Sequence, residues 1–380
     1  MRSPEIRTRA AASRIASLNA GSYAKVLAGT LISQLLSAAM LAILATSGTR
    51  SGDVIALGLQ VGTASLATLV TSVVYLLAVG RPSFQAWRSS AFTVAGFSFA
   101  LGGMAVLLLP ETQTSVEGVA VPLLFSAGGG VLAAAGVYAV RLACEGRPGY
   151  LAALTVGPNL LALACLLPTR VAFGEAPAVL PGVGWFAGCV VAFVVVMRTT
   201  HSTPQAPSDT EAYVEAPGNW RLHLIGNSGS ALVGAILPIV YVSAMTSLDP
   251  GVAAVTFAIT RIGTSIVSLG VNSILMVRVN WKNEVPQTGR LVTVAFALSA
   301  VLAGACLFFD SSGDVALGLL VVAWVSAIVA THIVARVAHA ESLAKEFAVK
   351  CAAELLVQVP ATFVLWSMSS SVGYFAVNLS

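Results

Sequence analysis

Charge is what this 380-residue chain has least of. Only 9% of its residues are Asp, Glu, Lys or Arg, against 57% apolar residues. A water-facing surface needs roughly three times that share of charge, so a soluble fold is excluded. Cysteine is sparse as well. Cys144, Cys165, Cys189, Cys306 and Cys351 show no Cys-x-x-Cys spacing, which excludes a zinc ribbon, a dithiol redox pair and a disulfide framework. His201, His223, His332 and His339 are scattered. No phosphate loop, no metal-ligand motif and no pair of carboxylates inside one apolar stretch occurs, so neither a cofactor nor a metal is expected.

What the chain does have is apolar blocks of roughly 17 to 26 residues separated by short polar gaps. That is the length an α-helix needs to cross about 30 Å of hydrocarbon at about 1.5 Å per residue. Eleven spans follow. Val26 to Ala45, Val54 to Val79, Ala91 to Leu109, Val119 to Val140, Tyr150 to Leu167 and Val179 to Met197 form a first group. Leu224 to Met245, Val252 to Val277, Leu291 to Phe309, Val315 to Val334 and Cys351 to Trp366 form a second. The tail from Val372 to Leu379 is apolar but too short to cross. The expected fold class is therefore all-α: a polytopic membrane protein of about 11 to 12 transmembrane helices.

Sidedness follows from where cations fall, because short loops rich in Lys and Arg stay in the cytoplasm. Except for Arg50, Arg170 and Arg261, every Lys and Arg lies in the N-terminal segment or in an even-numbered gap. The opposite gaps carry Asp53, Glu111, Glu117, Glu175, Asp249, Asp310 and Asp314. The N-terminus is expected in the cytoplasm of a plasma-membrane, multi-pass protein. A cleaved signal peptide is not expected, since the first apolar run starts late and is as long as the later ones. The preceding segment, Arg7 to Leu18, is either an interfacial basic helix on the anionic inner leaflet or a basic tail that enforces topology.

Four parts result: a basic cytoplasmic segment over 1–24, a six-helix lobe over 25–198, a polar Pro-containing linker over 199–220, and a second lobe of five helices plus the apolar tail over 221–380. The leading hairpins of the lobes are alike. Gly29-Thr30-Leu31-Ile32-Ser33 matches Gly226-Asn227-Ser228-Gly229-Ser230, and Gln60-Val61-Gly62-Thr63 matches Arg261-Ile262-Gly263-Thr264, at offsets of 197 and 201. Six spans separate them, so the repeat would be parallel, about an axis along the membrane normal.

The opening of the first span, Lys25-Val26-Leu27-Ala28-Gly29-Thr30-Leu31-Ile32-Ser33-Gln34-Leu35-Leu36, resembles the polysaccharide flippase branch of the multidrug/oligosaccharidyl-lipid/polysaccharide exporter superfamily. So does the turn Leu248-Asp249-Pro250-Gly251 with the helix Val252 to Ile262 that follows it. The resemblance implies two pseudo-symmetric bundles around a central cavity, opening alternately to either side and moving a polyprenyl-linked saccharide from the inner to the outer leaflet. It also implies a lipid-linked glycan substrate, membrane lipids as surroundings, glycosyltransferases or a glycan polymerase as partners, and no nucleic acid. Members of that branch have at least twelve helices, so eleven and a stub depart from the pattern.

Two charges fall inside spans. Arg261 lies nine residues into the eighth, about 14 Å from its outer end, where an uncompensated charge costs about 2.5 to 3.5 kcal/mol. It must face protein or a watery cavity, either to hold an anionic diphosphate or as a structural Arg bonded to Gln60, Thr63 or Gln34. Glu354 follows Lys350 by four residues and either pairs with it at the interface or shares a coupling role with Gln358. His332 is the candidate among the histidines for a proton relay. Lys25 either guides a phosphate into the cavity or anchors the helix end.

Thr30, Ser33, Gln34 and Ser37 share one helix face, as Gln60, Thr63 and Ser72 broadly do. Asn227, Ser230 and Asn272 give the second lobe similar features. These residues either line a cavity between helices one, two, seven and eight or hydrogen-bond between helices. Gly128 to Gly130 read as a packing surface, and Pro158, Pro238 and Pro360 as bends. The outer gap Pro110 to Gly118 is about nine residues and the widest, Pro168 to Ala178, about eleven, which leaves little room for the acceptor site of a membrane glycan polymerase. No enzyme is expected. Two alternatives to the flippase stay open: a cation-coupled small-molecule exporter of the same fold, and a non-transporting membrane subunit of a glycan assembly complex.

Overall fold

A computed structural model describes residues 20–45, 50–65, 84–107, 116–144, 147, 149–173, 179–202, 236–243, 250–267, 285–305 and 314–340, together with 229, 233, 245–246 and separate positions between 349 and 360. All regular structure among the described residues is helical. We number the elements α1 (Ala20–Ala45), α2 (Arg50–Ser65), α3 (Phe84–Leu107), α4 (Val116–Cys144), α5 (Gly149–Ala152), α6 (Val156–Phe173), α7 (Val179–Ser202), α8 (Val252–Val267), α9 (Val285–Ala305) and α10 (Asp314–Ala340). Residues 236–243 are helical too and precede α8.

Among the described residues, four stretches are long and apolar enough to cross a membrane: Ala24–Leu44, Val116–Ala143, Gly149–Pro168 and Val179–His201. Large apolar side chains stand on the outer surface, among them Leu35, Phe92 and Val301 at 61%, 68% and 68% exposure. In water such a surface would aggregate, whereas in lipid it is the proper solvent-facing surface. The chain is a multi-pass helical membrane protein.

Helices α1 to α7, the part that the sequence reading assigns to the first lobe, pack around α4, which touches α2, α3, α5 and α7. Small residues set these distances. A Cβ added at Gly129 would lie 2.7 Å from the carbonyl oxygen of Gly62 on α2, and one added at Gly188 on α7 would lie 2.4 Å from Cα of Pro158 on α6. Helix backbones therefore touch directly, the usual source of association energy where lipid removes most of the hydrophobic drive between helices. Trp185 and Phe125, both fully buried, fill the space beside the glycines with ring centroids 5.1 Å apart.

The fifth span, expected from Tyr150 to Leu167 with a bend at Pro158, is broken into two helices. Residues 153–155 form a turn between α5 and α6. Pro158 explains the interruption: it sits in the first turn of α6, where its missing N–H deprives no carbonyl. The turn is held from α1. The Ser33 hydroxyl pairs with that of Thr155, and the Asn159 amide donates to the Ser33 carbonyl at 3.3 Å.

Contact with the second lobe runs through α8, which packs on α1, α2 and α10. Leu57, Val61 and Ala64 of α2 form one apolar cluster with Ile239, Tyr241, Val242, Met245, Ala253, Leu320 and Trp324. From the other side of the seam, Ala254 and Phe257 join the core of the first lobe.

Candidate functional site

Helices α2 and α8 run side by side, starting from the end that the distribution of cations in the sequence assigns to the outer side. At the outer end Asp53 meets Gly251, and deeper in Thr63 meets Arg261, each pair 198 residues apart in sequence. The register therefore holds over about 15 Å, the rise of ten helical residues. A same-sense pair of helices from two lobes is the framework of the site.

Arg261 lies at the middle of this seam. It is half-buried, and its Nη2 donates to the hydroxyl of Thr63. The Thr63 hydroxyl passes its own proton to the Leu59 carbonyl at 2.6 Å, so it is oriented to accept from the cation. The face of the guanidinium lies 5.1 Å from the ring centroid of Phe257, one helical turn away on α8 and itself 2% exposed. A cation over an aromatic face in a poorly solvated place gains about 2 kcal/mol or more. Together these contacts offset the cost of a charge at mid-membrane and fix the orientation of the guanidinium. Thr260 and Thr264 return their hydroxyls to the carbonyls of Thr256 and Thr260, at 2.8 and 3.0 Å, which keeps the polar side chains of α8 satisfied within the helix.

Gln34 and Gln60 lie in the same layer. Gln34 is about 16 Å from the outer end of α1 by helical rise, and Gln60 precedes Thr63 by one turn on α2; both are half-buried. Helix α8 packs on α1 as well as α2, the two helices that carry Gln34 and Gln60, and of the three partners expected for Arg261 it is Thr63 that the structure sets in contact with it. Lys25 is not part of this group: it is exposed at the start of α1, beside Gly149 at the start of α5. His332 falls on α10 near its end. Asn227, Asn272 and Glu354 lie outside the described residues.

A second polar group was not singled out from sequence. Asp53, assigned to an outer gap, is 1% exposed. Its two carboxylate oxygens accept the backbone N–H groups of Gly251 at 2.8 Å and Ala254 at 2.9 Å. Arg50, three residues earlier, donates to the carbonyl of Thr246. Burial pushes the Asp53 carboxyl above the usual carboxylate value, against the opposing pull of these N–H groups and of Arg50. Two signals in the sequence could have found the group. Arg50 violates the cation rule of its own side, and the helix starting at Val252 has Gly251 before it and Ala254 in its first turn, neither with a capping side chain.

No protein-family model matches the chain, and no curated protein matches it. Among solved structures, the VcmN MATE transporter of Vibrio cholerae, a point variant, is similar over 97% of this chain and 95% of its own, at 15% identity and a TM-score of 0.41. A multidrug resistance MATE family transporter of the MOP superfamily, in an inward-facing conformation, is similar over 94% of this chain and 90% of its own, at 13% identity and a TM-score of 0.41. Neither structure is described as a polysaccharide flippase.

Proposed function

We propose that this protein is an alternating-access transporter that moves a polyprenyl-linked saccharide from the inner to the outer leaflet of the plasma membrane, with Arg261 receiving the diphosphate. One observation carries this reading: a guanidinium stands at half the depth of α8, half-exposed on the seam between two lobes, oriented by Thr63 and Phe257. A guanidinium presents a planar fork that matches two phosphate oxygens. Gln34 and Gln60 supply neutral donors in the same layer for the first sugar or the remaining phosphate oxygens. Glycosyltransferases would supply the substrate and a polymerase would consume it.

The test is the leaflet distribution of lipid-linked saccharides, read with a membrane-impermeant sugar-modifying reagent on cells with and without the gene. Protected, inward-facing intermediates should accumulate in the deletion and be cleared by the wild type but not by Arg261→Ala. An unchanged distribution in the deletion would reject the flippase.

A cation-coupled exporter of small molecules is the second reading, and one observation favours it. Such a mechanism needs a sequestered carboxylate in the first lobe, and Asp53 is one. It predicts export of small molecules that stops when the ion gradient is dissipated, with a normal distribution of lipid-linked sugars.

A further inference from the structure

The Asp53 contacts reproduce, across two lobes, what a helix usually does for its own end. The Gly251 carbonyl accepts the first helical bond of α8, from the amide of Val255 at 2.9 Å. Gly251 is therefore the N-cap residue and Ala254 the third helical residue, the two positions that a capping box joins reciprocally through its own side chains. Here neither residue has a side chain able to cap. A single carboxylate from α2 takes both N–H groups instead, and it lies at the positive end of the helix dipole. Gly251 holds a φ of 95°, a left-handed conformation that glycine adopts without strain, which aims its N–H at Asp53.

Arg50 does the complementary work at the other side of the same turn. Residues 236–243 end in a C-terminal turn at Thr246, whose amide reaches the carbonyls of Val242 and Ser243 at 3.2 and 3.1 Å. The carbonyl of Thr246 is one of the acceptors that a helix leaves unpaired at its negative end, and Arg50 donates to it. Three residues apart on α2, the anion and the cation thus meet the positive end of one second-lobe helix and the negative end of the one before it.

This arrangement gives Arg50, one of the two exceptional cations of the outer gaps, a purpose. We infer that Arg50 and Asp53 are an outer clasp, capping the second lobe in trans, that closes the outer end of the seam and must part before a substrate can leave to the outside. The inference rests on the alternating-access reading above. The conformation described is then the one closed to the outside. Opening the clasp leaves the two N–H groups of α8 and the Thr246 carbonyl to water, which is available at the outer surface and absent from the midplane.

The experiment is a distance measurement between spin labels at Val116→Cys and Val255→Cys, on the outer ends of α4 and α8, with the native cysteines replaced and the protein in lipid nanodiscs. The wild type should show mainly the short distance. Asp53→Ala should move the closed-to-open ratio roughly tenfold towards the long one. The double reversal Arg50→Asp with Asp53→Arg keeps one charge of each sign but opposes both helix dipoles, so it should open the outer end further. A wild-type distribution in Asp53→Ala, or its restoration by the double reversal, would overturn the clasp.

Amide hydrogen exchange on the wild type is independent of how any variant folds. Gly251 and Ala254 should be protected like the amides inside α8, and exchange at the speed of a solvated loop would refute their capping. Neither readout involves substrate. A clasp that responds as expected beside an unchanged leaflet distribution would remove the flippase and keep the clasp; the converse pair of results would remove the clasp alone.

Discussion

The two faces of α2 make opposite kinds of contact. Towards α4, in its own lobe, Gly62 lies against Gly129 and Gly58 against the ring of Phe125, so that face is backbone and ring in direct touch. Towards the second lobe, the same helix presents Asp53, Leu57, Val61, Thr63 and Ala64, with polar contacts at the outer end and at mid-depth and apolar packing between. A backbone contact at van der Waals distance has one good geometry and resists sliding. Side-chain caps and a guanidinium contact can be exchanged for water or for a ligand. One face therefore builds a rigid lobe and the other a seam that can part.

Breaking the rigid face should have the largest effect. Gly129→Leu drives a side chain into the α2 backbone and should cost about 3 kcal/mol or more, read as a large loss of folded yield and melting temperature in detergent. Gly304→Leu, where nothing lies within 4 Å of the new Cβ, should leave both near wild type. Equal damage at the two positions would show that the contact between α2 and α4 is not the constraint.

Breaking the seam at mid-depth should separate activity from stability. Arg261→Ala removes a charge whose presence at mid-membrane costs about 2.5 to 3.5 kcal/mol, and the Thr63 hydroxyl keeps its bond to Leu59. Melting temperature should therefore hold or rise while transport falls at least about tenfold. A matched fall in both would mark Arg261 as structural. Arg261→Lys should restore part of the rate, because it keeps the charge without the planar fork. Phe257→Leu preserves most of the volume and removes the ring under the cation. A loss of about 1 kcal/mol should lower transport a few-fold, with the deficit absent in the Arg261→Ala background.

The smallest effect is that of pH on the outer end. Burial raises the Asp53 carboxyl above its ordinary 3.8 in the clasped form, whereas water around an opened clasp returns it towards that value. The clasped form thus binds the proton more tightly. By linkage, the closed share rises as pH falls from about 7 towards 4, and is lowest where Asp53 is ionised in both forms. Arg50, on the same helix, is the charged group acting on Asp53 among the described residues. Label distances from Val116 to Val255 that lengthen on acidification would reverse this sign.

Much of this was legible beforehand, and what was missed has a common cause. Arg261 stands out in the sequence because charge inside an apolar span is rare, and Thr63 was named there as one of its neighbours. Pro158 signalled irregularity in the fifth span, but the turn falls earlier, at 153–155. Asp53 was read as an ordinary loop acid because it precedes the second apolar run by one residue; its burial depends on a helix start about 200 positions away. No local pattern around Asp53 encodes that partner.

The sequence by itself determined that the chain is built of apolar membrane-crossing helices, and it is the sequence alone that sets the sidedness expected of them. Lipid makes those properties local, since each span must satisfy its own backbone within its own length and each short loop is sorted by its own cations. Only the tertiary structure decided which polar groups meet: Asp53 with the start of α8, Arg50 with Thr246, and Thr63 with Arg261. Those partners lie 196 to 201 residues apart, and what joins them is the packing of α8 against α1 and α2, which no single stretch of the chain contains.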